Sequence, residues 1–138
     1  MPPRQLLYHL AVTLALSLAT PVAWSEDGVS ANEIRIGMVN AQSGPASGLG
    51  SDMKTGVQAY FTRVNATGGV HGRTLNLIVK DDGYEPARSA AHTEELINSD
   101  NIFALLGYVG TPTSRAALPI AMRAEVPYLF PFTGAEFL

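Results

Sequence analysis

The sequence predicts an α/β fold: an open parallel sheet with helices on both faces. Three observations predict it. Short apolar runs at residues 34–39, 75–79, 102–106 and 127–130 alternate with longer stretches whose apolar residues recur at helical spacing. The resulting order, β-α-β-α-β-α-β, implies parallel strands joined by right-handed crossovers. The segments that follow the four runs, residues 40–51, 81–85, 107–114 and 131–136, therefore converge beyond the carboxyl ends of the strands, where open α/β sheets hold ligands.

Each element has its own justification. In strand one, Ile34, Ile36, Met38 and Val39 are apolar, and Arg35 is tolerable near a sheet end. Residues 40–51 interleave Gly44, Gly48 and Gly50 with serines and Pro45, which predicts a long loop, and long ordered loops are frequently functional. Ser51 or Asp52 then caps helix one. Met53, Val57, Tyr60, Phe61 and Val64 follow as a single apolar stripe. Gly68 or Gly69 suits the left-handed position past the helix end. Residues 70–73 form a turn. Leu75, Leu77 and Val79 make strand two, which Asp81, Asp82 and Gly83 stop. Helix two begins at Glu85 and Pro86, with Ala87, Ala90, Ala91, Glu94 and Ile97 as its stripe.

Strand three leads into the turn Gly107-Tyr108-Val109-Gly110. Thr111 is predicted as the N-cap of helix three, and Pro112 as its first residue, where the missing N–H costs nothing. Ala117, Ile120, Ala121 and Ala124 face inward, and Pro119 should kink or interrupt the helix. The N–H groups of a first helical turn lack partners, and the macrodipole favours anions there. With glycine thinning the approach, this turn is expected to hold a carboxylate or phosphate. Strand four occupies residues 127–130, and 131–138 are a loop or an unfinished helix.

The chain of 138 residues is 46% hydrophobic and 15% charged, a globular composition. Its net charge of -3 gives no basic surface for nucleic acid. The absence of cysteine excludes a disulfide, a thiolate metal site and a lipoprotein anchor. Residues 1–25 read as a secretory signal peptide: Arg4, an apolar run over 6–19, then Ala23 and Ser25 as the small residues before a cleavage site. That run falls short of the ~20 residues a transmembrane span needs. The fold is therefore expected in residues 26–138, outside the cytoplasm.

Several motifs fail on inspection. Gly48-x-Gly50 before a helix suggests a dinucleotide loop, but Met53 stands where the third glycine belongs. Met53 also replaces the second glycine of a phosphate-binding loop. Ser43-Gly44 lacks the glycine that precedes the serine of a nucleophile elbow. Asp81-Asp82 reads as a solvated strand end with an aspartate capping the next turn, the alternative being a metal ligand or base. His71 and His92 stand alone. Glu136 could meet a ligand ammonium or cap a helix. Among Tyr84, Tyr108, Tyr128, Phe130 and Phe132, one or two are expected to line a pocket. No cofactor and no metal is implied.

Ile34-Arg35-Ile36-Gly37 followed by Ser43-Gly44-Pro45 resembles the opening of the type I periplasmic solute-binding proteins of ABC transporters, and within them the branched-chain amino acid (leucine/isoleucine/valine) group. Asn65-x-x-Gly68-Gly69-Val70-x-Gly72-Arg73, Asp81-Asp82 with Pro86, and residues 107–114 leading to Pro127 continue the likeness. It covers residues 33–138. The resemblance implies two lobes closing on a small ligand, an amino acid or related carboxylate, and passing it to a membrane ABC permease. It places a carboxylate on the hydroxyl of Thr111. Phe132, Thr133 and Gly134 meet the ligand's ammonium and carboxylate. The resemblance turns the loop from Ser43, with Leu49 where relatives carry an aromatic, toward the ligand side chain; of the strand-end aromatics, Tyr108 and Phe132 are the ones expected to line the pocket. A disulfide found in some relatives would join Tyr84 and Gly110, neither of which is cysteine.

The resemblance makes this chain a partial N-terminal lobe, ending at Leu138 without hinge or second lobe. Half a cleft should bind weakly, since each charge-assisted hydrogen bond contributes ~1.5–3 kcal/mol and ~1.4 kcal/mol is tenfold in affinity. The alternative function is a ligand-sensing extracellular module of a receptor, which reuses this fold. An enzyme is not expected, because no base–nucleophile pair is visible.

Overall fold

The computed structural model describes residues 26–137, so the predicted signal peptide lies outside the described residues. The elements are β1 (Glu33–Asn40), α1 (Ser47–Ala66), β2 (Thr74–Asp81), α2 (Pro86–Asn98), β3 (Ala104–Leu106), α3 (Thr111–Arg123) and β4 (Tyr128–Leu129). The four strands form one sheet in the order β2-β1-β3-β4, and every pairing is parallel. Ile36 stands opposite Leu77 on one side and Ala104 on the other. Strand order reverses between β1 and β3, so the loops that leave these two strands diverge at a crevice.

Right-handed crossovers put α1 on one face and the α2–α3 pair on the other. Alternation along β1 serves both. Val39 joins Leu96, Leu105, Tyr108, Ala117 and Ala121 in the core beneath α2 and α3. Met38 points the other way, where it and Met53 of α1 crowd Gly107. The stripe of α1 is less deeply covered than its periodicity predicts: Met53, Val57, Phe61 and Val64 are half-buried, and Tyr60 is exposed.

Four local expectations are corrected. The loop after β1 is short, because α1 begins at Ser47 rather than after Ser51. The Ser47 amide donates to the Gly44 carbonyl at 3.1 Å, and Gly50 lies so close to Ala41 that a Cβ would fall on its carbonyl. Close packing, not loop flexibility, is what this glycine serves. The buried face of α2 is Ser89, Thr93 and Leu96 rather than the alanine stripe. Alanines bring little apolar area, and the Thr93 hydroxyl is satisfied inside by the Ser89 carbonyl and the Tyr108 hydroxyl, each at 2.7 Å. The N-cap of α3 is Gly110, with φ 104 and ψ 148, and Thr111 is the first helical residue. Pro119 leaves α3 uninterrupted: Arg115, whose carbonyl loses its donor, is exposed, so water can replace the bond.

Candidate functional site

The loop after β1 is held from below. Asp81, at the end of β2, accepts from the backbone amides of Gln42 at 2.8 Å, Ser43 at 3.2 Å and Gly83 at 2.9 Å, and from the Ser43 hydroxyl at 2.6 Å. The Ser43 hydroxyl and these amides hold its carboxyl at about 2, against the burial that opposes ionisation. Ser43 therefore spends its proton on Asp81 and serves first as a loop anchor. Asn40 is wholly buried and donates to the Gly107 carbonyl at 3.1 Å, which ties the carboxyl ends of β1 and β3 together. Sequence reasoning missed Asn40, whose polar side chain at a strand end carries no signal of its partner.

The turn after β3 departs from its predicted form. Residues 107–110 are buried, and the Gly107 and Gly110 amides are spent on the carbonyls of Leu129 (3.1 Å) and Phe132 (3.0 Å). The Phe132 amide in turn donates to the Tyr108 carbonyl at 2.7 Å. Parallel pairing thus runs past β4 into a bridge between Val109 and Phe132. What the turn keeps for a ligand is its last part. The amide of half-buried Thr111 has no hydrogen-bond partner among the described residues, as the first turn of a helix leads one to expect, whereas Thr113 is wholly buried and offers nothing to the surface.

Tyr108 is corrected outright. Its side chain is fully buried, bonded to Thr93 and tilted against the ring of Tyr128 at 4.7 Å, so it is core rather than pocket wall. Burial drives its phenol far above its ordinary pKa. Asp82 is corrected too. It caps the next turn as expected, but as a wholly buried carboxyl rather than a solvated strand end, pushed upward by desolvation. One oxygen accepts from the Tyr84 amide at 2.8 Å, and the other has no hydrogen-bond partner.

Two pairs among the remaining predicted residues are neighbours, Thr111 with Thr133 and Leu49 with Phe132. The bridge at Phe132 places the segment after β4 beside the start of α3, and the hydroxyls of Thr111 and Thr133 meet at 2.6 Å. Thr133 also accepts from the Ala135 amide at 3.2 Å, an ordinary local turn. Phe132 and Leu49, both exposed, face each other across a cleft of about 200 Å³ that Asp52 and Met53 complete. Asp52, predicted only as a possible helix cap, instead projects from within α1 into this cleft. Gly134 lies exposed beyond Thr133, with nothing near the position a Cβ would take. Tyr84 and Gly110 are in direct contact, ring against backbone.

Two hydroxyls and one unpaired amide thus stand at the start of α3, and an apolar wall with one carboxylate lines the cleft reached through Phe132, the residue before Thr133. Amides and hydroxyls at a helix start suit a small anion, and the wall suits an alkyl or aryl group. Among the described residues no group of three or more His, Cys, Asp or Glu could hold a metal.

The periplasmic binding protein family model matches residues 33–136. The chain belongs to that family. A possible leucine/isoleucine/valine-binding protein from Rhodopirellula baltica superposes on this periplasmic binding protein with a TM-score of 0.75 at 40% identity, over 83% of this chain and 30% of that one. A fatty acid ABC transporter substrate-binding protein from Thermomonospora curvata superposes with a TM-score of 0.72 at 28% identity, over 81% and 28%. The Leu/Ile/Val-binding protein of Citrobacter freundii is 31% identical over 111 residues, 80% of this chain and 28% of that protein. The chain spans less than a third of the length of each.

Proposed function

We propose that this chain supplies one face of the ligand cleft of an extracytoplasmic solute-binding component of an ABC importer, and that the ligand is a small amino acid or related carboxylate delivered to a membrane permease. The observation that carries this reading is the Thr111–Thr133 hydroxyl pair, 2.6 Å apart at the start of α3 and beside the unpaired Thr111 amide. The relatives support it through shared chemistry: leucine, isoleucine and valine, for which one relative is named, and fatty acids, for which another is, all carry a carboxylate. In this reading the hydroxyls of Thr111 and Thr133 and the Thr111 amide take the carboxylate. Leu49 and Phe132 take the apolar part, Asp52 stands where it can meet an ammonium, and Gly134 leaves the approach open. Ser43 acts through Asp81 by setting the loop. A location in the periplasm follows from the same reading.

The test is a titration of the chain with L-leucine, L-isoleucine and octanoate, followed by amide chemical shifts. The expected result is a saturable shift of the Thr111 amide. Thr111→Val should weaken the apparent affinity by about tenfold, since a hydrogen bond to a charged group is worth about 1.5 kcal/mol or more. No shift with any acid, or an unchanged affinity in Thr111→Val, sinks the proposal. L-Leucine without octanoate would assign Asp52 its role, and Asp52→Asn should then erase the preference.

A further inference from the structure

The start of α3 has an unusual support. Gly110 combines φ 104 with ψ 148, a backbone region that residues with a Cβ rarely adopt. Its Cα is covered by the ring of Tyr84: the ring Cζ and the hydroxyl stand 2.7 Å from where a Cβ would be. Tyr84 is itself held at φ 68, a conformation that costs a non-glycine residue free energy. Its amide donates to the buried carboxyl of Asp82 at 2.8 Å, and Asp82 hands the chain back to β1 by donating its own amide to the Asn40 carbonyl at 3.2 Å. A strained residue therefore runs from a buried anchor to the N-cap of the helix that presents Thr111. The turn itself sets this φ, since the Glu85 amide donates to the Asp82 carbonyl at 3.0 Å across Gly83 at φ 58 and Tyr84; glycine would serve the backbone there, yet the position carries a ring laid against Gly110.

We propose that Tyr84 is a positioning residue: its ring, anchored through Asp82, clamps Gly110 and holds the first turn of α3 in the orientation that presents Thr111 to a ligand. The role rests on the carboxylate reading of Thr111. The clamp itself is a property of the empty chain and is tested without ligand. Gly110 and Phe132 amides bond across the bridge beside the ring, whereas the Leu105 amide bonds to the Pro127 carbonyl deeper in the sheet. Local opening of the turn exposes the first pair and leaves the third protected.

The experiment is amide hydrogen exchange on the full chain and on Tyr84→Gly and Tyr84→Phe. Glycine suits φ 68, so the first variant removes the ring while relieving the backbone, and the fold is retained. Exchange at Gly110 and Phe132 should rise by about tenfold or more in Tyr84→Gly, with Leu105 and the thermal midpoint unchanged or improved. Tyr84→Phe, which keeps the ring, should restore slow exchange to within about twofold of the parent. A merely structural residue would lower both local and global protection together. Unchanged exchange at Gly110 in Tyr84→Gly, or an equal rise at Leu105, overturns the proposal, as does a Tyr84→Phe variant that exchanges as fast as Tyr84→Gly. None of these results depends on whether L-leucine shifts the Thr111 amide, so a failed clamp and a failed carboxylate site are told apart.

Discussion

At the scale of single residues, the site is built on buried polar groups whose partners are incompletely supplied. Asp82 is the clearest. Among the described residues no cation pairs with its carboxyl: Arg88 lowers its pKa slightly from a distance but is half-exposed and directed to Asp81, whose backbone carbonyl it meets at 2.6 Å. The Tyr84 amide, and after it the nearby Ser89 hydroxyl, offset part of the desolvation that raises the Asp82 pKa. An acid whose folded pKa is raised favours the folded state in its neutral form, so its contribution to stability falls as pH rises through that value. Asp82→Asn keeps an acceptor for the Tyr84 amide, adds a donor, and cannot ionise. It should raise stability at pH 7 by about 1 kcal/mol, the worth of one buried hydrogen bond. The gain should shrink on acidification toward pH 4. Urea unfolding of both proteins at several pH values measures this; a variant less stable at neutral pH would show that the Asp82 charge is satisfied in a way the contacts do not reveal.

At the scale of elements, the latch between β2 and the loop after β1 carries a pH dependence of opposite sign. Asp81 has its pKa lowered from 3.8 to about 2, chiefly by the Ser43 hydroxyl. A depressed folded pKa stabilises above the unfolded value and is lost as pH falls through the folded one. Ser43→Ala removes the principal cause. The variant should be less stable than the parent by a constant amount above pH 4, and the two should converge near pH 2. A gap that persists at pH 2 would place the serine's effect elsewhere. The same elements show what a sequence makes legible. Alternating apolar runs exposed the strand–helix order, because periodicity is a property of each segment alone. Thr111, Thr133, Leu49 and Phe132 could be grouped only through the resemblance, since their meeting depends on which strands are neighbours. The inner face of α2 was hidden: Ser89 and Thr93 become inward residues only because Tyr108 and Asp82 lie beneath them. The extra turns at the start of α1 were hidden by Gly48 and Gly50, which look like loop residues until Gly50 is seen against Ala41.

At the scale of the whole molecule, the two faces of the sheet are unequally covered. The α2–α3 side carries the sealed core of Val39, Leu96, Leu105 and Tyr108. The α1 side opens into an apolar groove of about 480 Å³ between Val57, Tyr60 and Phe61 of α1 and the pair Leu106 and Phe130. Phe130 is 78% exposed and sits just past β4, whose outer edge pairs with no strand among the described residues. A groove of this kind next to a free strand edge favours association between copies, because apolar area and unpaired amides are removed from water together. In β4, the two paired residues are too few to hold an edge against a second strand. The chain should therefore self-associate reversibly as its concentration rises, with the sedimentation coefficient climbing in velocity runs. Phe130→Asp puts a charge at the groove's mouth without touching the sealed core. It should hold the chain monomeric over the same concentration range while shifting the thermal midpoint little, since its side chain loses little buried area. A Phe130→Asp chain that associates as strongly as the parent would assign the sticking surface to another part of the molecule, the exposed Met122 and Phe103 being the next to change.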